Sequence, residues 1–279
     1  MSNEDPFITI ERADNITVDQ KSQFAESCCK CLGVCCADFE NSYDVYVPDG
    51  AGATRLRATE DSTCVRRALC NPYHALKLHI SSDSDGKKSG NILEIEKPFR
   101  CCCPALLAPC QKSITVSRVQ PKREVIGYVQ EPCLGGVLRP KLKMYREKHG
   151  RPLGTVSGPC CCIGGCCKSE FEVTSPEGHP LATIKRGGVS DMGIRRALLS
   201  NSDKFQIQYT DNSIPVDDKL VMLSSLLFID YLFFEGETNC IVNCCTCPPQ
   251  IWCKLCDFYC CGCTLPFRVK CCIPKDSDK

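Results

Sequence analysis

The sequence predicts a mainly β protein, an antiparallel barrel or sandwich, with one apolar helix towards its C-terminal end. Short runs between Asn41 and Tyr209 alternate apolar with polar residues, turn formers separate them, and one long apolar stretch, Leu220–Phe234, breaks the pattern. Alternation with period two places successive side chains on opposite faces of a strand, so one face is buried and the other wet. No βαβ pattern interrupts the series.

Residues 1–27 are polar, show little periodicity and are expected to form a disordered tail. Asn15-Ile16-Thr17 has the form of a glycosylation sequon, but the acidic start MSNEDPFITIERADN shows no signal peptide, so the match reads as accidental. Phe24, Cys28, Cys31 and Cys35 fall on one helical stripe, which predicts a short cysteine-rich helical segment over 28–37. Either a membrane edge or internal packing suits that stripe.

The β domain is expected over 38–235. Its clearest strands are Tyr43–Val47, Leu76–Ile80, Ile114–Val119, Phe171–Val173 and Phe205–Tyr209. Turns are expected at Pro48-Asp49-Gly50, Asp83–Gly86, Gly135-Gly136, Pro176-Glu177-Gly178 and Gly187-Gly188. Leu220–Phe234 would make a helix of ~22 Å, short of a hydrocarbon core of roughly 30 Å. Its apolar side chains include Leu220, Leu227, Phe228, Phe233 and Phe234, with Asp230 among them. Length and the cost of an intramembrane Asp favour the buried centre of a domain over a membrane span. Asp230 must then find a polar partner. Residues 236–279 form a cysteine-rich tail of different composition.

Charge is nearly balanced, Lys+Arg 34 against Asp+Glu 33, which gives no footprint for nucleic acid. The 28 cysteines stand out, and they come in adjacent runs such as Cys101-Cys102-Cys103 and Cys160-Cys161-Cys162. Neighbouring side chains in a strand point apart, so these runs are poor material for specific disulfides and suggest a reducing compartment. No Walker loop, GxGxxG, HExxH or GxSxG occurs, so the sequence holds no catalytic constellation and reads as a non-enzyme. Zinc is an alternative for the tail, with Cys253, Cys256, Cys260 and Cys263 as its ligands, although the hooks lie closer together than in most zinc modules. Thioacylation fits cysteines among apolar and aromatic residues better.

Glu96-Lys97-Pro98-Phe99-Arg100-Cys101-Cys102-Cys103-Pro104, followed by Cys110, resembles the palmitoylated segment of the phospholipid scramblase family. Glu60–Cys64, Ile126–Val129, Ser157–Cys160 and Leu227–Glu235 look like further family landmarks, in family order. The resemblance implies a tubby-like fold: a closed β-barrel around a central hydrophobic C-terminal helix. It also implies calcium-dependent, ATP-independent movement of phospholipids between leaflets, palmitate on Cys101, Cys102, Cys103 and Cys110, and a cytosolic N-terminus. The expected location is the cytoplasmic face of the plasma membrane. Membrane phospholipids are the implied partners, with protein partners through the cysteine-rich tail and an oligomer left open. Calcium ligands would fall on Asn201, Asp203, Asp211, Asp217 and Asp218. Here Asn201 stands where the family has Asp, and Lys204 adds a cation, so weak affinity or none is expected. A lipid-anchored adaptor or lipid-binding module without transport activity is the alternative function.

Overall fold

The computed structural model describes residues 5–21, 41–49, 52–61, 75–84, 87–99, 111–163, 169–187, 204–234, 240–243, 250–261 and 263–271. The expected helical segment at 28–37 therefore lies outside the described residues.

A short helix, α1 (Pro6–Arg12), opens the fold. Asp5 caps it by accepting from the Phe7 N–H at 3.0 Å, and Pro6 sits where the missing N–H costs nothing. The barrel strands are β1 (Asn15–Gln20), β2 (Ser42–Asp49), β3 (Gly52–Asp61), β4 (Leu76–Ser84), β5 (Lys87–Lys97), β6 (Ser113–Arg118) and β7 (Glu124–Gln130). They continue with β8 (Lys141–Tyr145), β9 (Pro152–Ser157), β11 (Glu170–Thr174), β12 (Pro180–Arg186) and β13 (Lys204–Tyr209); β10 (Cys162–Ile163) lies outside the barrel. The order β1-β13-β12-β11-β9-β8-β7-β6-β5-β4-β3-β2 closes on itself. All twelve pairings are antiparallel.

Each strand predicted from alternation lies within an observed one, except that Ile114–Val119 runs one residue past the end of β6 at Arg118. In β13, Phe205, Ile207 and Tyr209 point inward while Lys204, Gln206 and Gln208 face out. The same pattern in β1 buries Ile16 and Val18. Residues 6–20 of the segment expected to be disordered therefore supply α1 and the strand that closes the barrel, β1 pairing with β2 and β13. Two inward residues were too short a run to stand out in the sequence.

The barrel is filled by α2 (Val216–Ile229), which continues as a π-helical turn over Asp230–Phe234. Every residue from Asp218 to Phe234 is buried. The helix starts one turn before the expected Leu220, since Lys219 lies inside it and not at its edge. Packing is tightest on β7, where a Cβ on Gly127 would fall 2.5 Å from Val221 Cγ2. The buried serines are satisfied within the helix: Ser224 Oγ donates to the Leu220 carbonyl at 2.8 Å and Ser225 Oγ to Met222 at 2.7 Å.

The C-terminal region is also structured. Strands β14 (Cys240–Asn243), β15 (Gln250–Cys260) and β16 (Cys263–Cys271) form a second sheet with β10. Tyr259 anchors it to the barrel. Its ring meets Phe233 edge to face at 5.7 Å, and its hydroxyl donates to the Gly135 carbonyl at 2.7 Å.

Candidate functional site: the two ends of the barrel

The two ends of α2 bring together different groups. At its N-terminal end, Pro215 precedes the helix and Asp217 and Asp218 occupy the first turn, where carboxylates complement the exposed N–H groups of the helix. Both acids are held by arginines from distant strands. Arg146 donates Nε to Asp218 Oδ1 at 2.9 Å and Nη2 to Oδ2 at 2.5 Å, a two-pronged fork. This pairing holds the Arg146 guanidinium above its ordinary pKa. Arg118 Nη1 donates to Asp217 Oδ1 at 2.9 Å. Asp211 is turned onto the next loop, its two oxygens accepting from the backbone N–H and hydroxyl of Ser213 at 2.9 and 2.7 Å. Those two bonds, the backbone one first, hold its carboxyl below the usual range.

Calcium needs several oxygens converging on one point. As placed, Asp211, Asp217 and Asp218 do not fit such a cage, since an ion at Asp217 or Asp218 would have to displace an arginine. Among the described residues no group of three His, Cys, Asp or Glu side chains is arranged to hold a metal. Asn201 and Asp203 lie outside the described residues.

Beside this cluster sits Lys219, fully buried. Its ammonium donates to the carbonyls of Glu11 at 2.5 Å and Ala13 at 2.9 Å, and lies 5.0 Å from the Tyr209 ring centre. It thereby closes the C-terminal end of α1 onto the core helix. Burial pushes its pKa down, partly opposed by Asp14, Glu11 and Asp211.

At the other end of α2, Asp230 Oδ2 accepts from the Tyr43 hydroxyl at 2.8 Å, the polar partner that a buried carboxyl requires. Phe233 and Phe234 pack on Phe171 and Phe205, while Leu220, Leu227 and Phe228 line the interior. Lys97, at the end of β5, lies 4.7 Å from the Tyr231 ring centre. The chain thus leaves β5 at this end, with Phe99 half exposed, and returns at Lys112. The predicted acyl acceptors Cys101, Cys102, Cys103 and Cys110 lie between, outside the described residues. Beside Lys112, the carboxyl of Glu131 is buried and its pKa raised by that burial, with Lys112 and Tyr259 opposing.

The tail cysteines are distributed along one hairpin. Pairing places Cys260 opposite Cys263 and Cys256 opposite Phe267, while Cys253 pairs with Cys240 and Val269. Cys256 is buried, Cys260 exposed and Cys263 half-buried.

Sequence reasoning missed Arg118, Arg146, Lys219, Tyr43 and Glu131. The arginines meet their acids across 99 and 72 residues, and no local pattern carries such a pairing. Lys219 did carry a signal, a charge adjoining an apolar run, but it read as the helix boundary.

No helix among the described residues is long and apolar enough to cross a membrane, which says nothing of strands. The family model described as Scramblase matches residues 1–236. The chain is 30% identical over 206 residues to phospholipid scramblase 1 of Homo sapiens, covering 71% of this chain and 58% of that protein. It is 29% identical over 203 residues to phospholipid scramblase 2 of Bos taurus, covering 71% and 63%. The aligned region thus spans about three fifths of those relatives. No solved structure matches the chain.

Proposed function

The chain belongs to the scramblase family, and from that premise we propose that it is a membrane-anchored protein that moves phospholipids between leaflets in both directions without ATP. The observation that carries this is the family match, which runs through the whole barrel and its core helix. Acyl chains on Cys101, Cys102, Cys103 and Cys110 are the proposed anchor. One chain holds only marginally and two or more hold firmly. Hydroxylamine-sensitive acyl exchange tests this, and labelling that persists when all four are Ser would move the anchor elsewhere. The proposed location is the cytoplasmic face of the plasma membrane. Calcium dependence stays with the resemblance; the arginine-held acids at the head of α2 support only a weak effect.

A second reading, a lipid-anchored adaptor or lipid-binding module, is favoured by one observation. Each residue of α2 from Asp218 on is inside the barrel, so this helix is occupied by the core and not offered to the bilayer. Carrying a headgroup through hydrocarbon needs a polar path. One helix cannot line such a path, so transport would call for an oligomer or a path over the barrel's surface.

Liposomes with fluorescent lipid in both leaflets separate the two. Dithionite bleaches only the outer leaflet unless lipids exchange. Bleaching well beyond half with purified protein establishes transport, and a rise with calcium establishes its dependence. Bleaching that stops at half, with and without calcium, leaves the adaptor.

A further inference from the structure

Building on that reading, in which the protein acts at phospholipid membranes, we propose that the outer face of the β15–β16 hairpin is a membrane-docking surface that seats on an anionic lipid leaflet. The hairpin lies beyond residue 236, outside the region matched by the family model, so nothing in the family match assigns it.

The register builds this face. Phe258 pairs with Leu265 and Cys260 with Cys263, and Phe267 follows Leu265 by two residues, so these side chains share one side of the hairpin, with the buried Cys256 opposite Phe267. Asp257 and Tyr259 point the other way and are buried against the barrel. A solvated outer face should read polar. Here Leu265 is 62% exposed, Phe258 46% and Phe267 45%, with Val269 also exposed. The rings of Phe258 and Phe267 meet edge to face at 5.8 Å, so the patch is continuous. Exposed thiols behave as small hydrophobes and extend it. Contiguous exposed apolar surface of this kind marks an interaction site.

Three further observations identify a lipid leaflet as the occupant. The first is clustering at one end of the barrel. Val137 and Leu138 are exposed next to the hairpin, and Phe99 lies at the same end, where the chain leads to the proposed acyl cysteines. Among the described large apolar side chains that are exposed, only Ile8 and Val125 belong to the other end. Phe99 and the apolar face of the hairpin would therefore meet the same leaflet.

The second is stiffness. Cys161 N–H donates to the Leu138 carbonyl at 2.8 Å, Cys261 N–H to Val137 at 2.7 Å, and Tyr259 N–H to Cys161 at 2.8 Å. Val137, Cys161 and Cys261 all adopt left-handed backbone conformations, with φ of 65°, 67° and 51°. Such conformations persist only where surrounding contacts enforce them. Three loops are thus fastened into one surface.

The third is charge. In the hairpin and the adjoining 133–141 segment, the exposed charged side chains described are Arg139, Lys141 and Arg268; the acid in these segments, Asp257, is buried. Arg268 alternates with Phe267 and Val269 and so faces the reverse side of the hairpin. That leaves Arg139 and Lys141, beside the exposed Val137 and Leu138, as cations bordering the apolar face, and such a border suits an anionic leaflet. These cations oppose a second copy docking face to face, which would set cation against cation.

The test uses full-length protein made in bacteria, free of thioester-linked chains, and vesicles of phosphatidylcholine with or without phosphatidylserine. Wild type should co-sediment with the phosphatidylserine vesicles. Changing Phe258→Ser, Leu265→Ser and Phe267→Ser together should weaken that binding at least about tenfold, given the apolar area withdrawn. Arg139→Glu with Lys141→Glu should weaken binding to phosphatidylserine vesicles and leave binding to pure phosphatidylcholine unchanged. The proposal is overturned if wild type binds neither vesicle, or if the triple variant binds as tightly as wild type. It is equally overturned if light scattering without lipid shows a wild-type dimer that the triple variant abolishes. Should the triple variant lower the melting temperature of the barrel, the charge-reversed pair decides, and unchanged binding to phosphatidylserine overturns the proposal. Dithionite bleaching after detergent reconstitution reads the transport function separately. Wild type that docks but bleaches only to half refutes transport alone; a triple variant that fails to dock yet bleaches beyond half refutes neither.

Discussion

Replacing Lys219 with Met keeps most of the side-chain volume while removing the ammonium that ties α1 to the core helix. Two carbonyls, of Glu11 and Ala13, then lose a charged donor at 2.5 and 2.9 Å. Hydrogen bonds to charged groups contribute about 1.5–3 kcal/mol each, and a buried acceptor left without a donor costs about 1–3 kcal/mol. Against this, the variant no longer holds an ammonium in a fully buried position, which returns several kcal/mol. The balance is a loss of about 2–3 kcal/mol. With a urea slope of roughly 2–3 kcal/mol/M, the unfolding midpoint should fall by about 1 M. The loss should be local first, because the bonds broken belong to the segment that carries β1. Limited proteolysis in native buffer should cut between residues 5 and 21 in the variant at protease levels that leave wild type intact. A midpoint within about 0.2 M of wild type, with the N-terminal segment still protected, would refute the view that Lys219 locks this seam.

Tyr43→Phe removes the hydroxyl that donates to Asp230 and should cost about 1–3 kcal/mol in denaturant unfolding; a change under about 0.5 kcal/mol would mean the bond is dispensable. Gly127→Ala drives a Cβ to 2.5 Å from Val221 Cγ2 and should destabilise by about 1–3 kcal/mol. Adding Val221→Ala should recover part of that loss, so a double-mutant cycle should show a coupling above about 0.5 kcal/mol, and simple additivity would contradict the close approach. Burial raises the Glu131 pKa above its ordinary 4.5, so the folded state holds its proton to higher pH than the unfolded chain. That contribution is fully present below the unfolded value and is lost as pH rises through the folded one. Glu131→Gln should therefore gain on wild type in melting temperature as pH climbs from about 4 to 8, and a constant offset across that range would contradict it.

The sequence made legible what period and composition can encode. β13 reads straight from Phe205, Ile207 and Tyr209, and the core helix from its apolar run, because one side of each strand and all sides of the helix meet the same interior. Cysteine obscured the rest. In β15 and β16 it stands at buried and exposed positions alike, so neither period shows, and the second sheet read as a tail. β1 was hidden by brevity. The acids at the head of α2 were legible as acids, but their roles come from Arg118 and Arg146, which only barrel closure brings near.

The position of α2 in the chain has a consequence for biosynthesis. All twelve barrel strands leave the ribosome before the helix that fills them, and the seam strand β1 leaves first of all. At about 5–20 residues per second, the interior faces of the strands wait for their filling from about a second for β13 to roughly 10–40 seconds for β1. A hollow sheet of Val, Ile and Leu side chains cannot stay wet for that time without collapsing or being shielded. When the helix does emerge it has two apolar destinations, the lumen and any nearby bilayer. Membrane proximity during synthesis therefore becomes a variable of folding, and a chaperone that keeps nascent strands apart would favour the barrel.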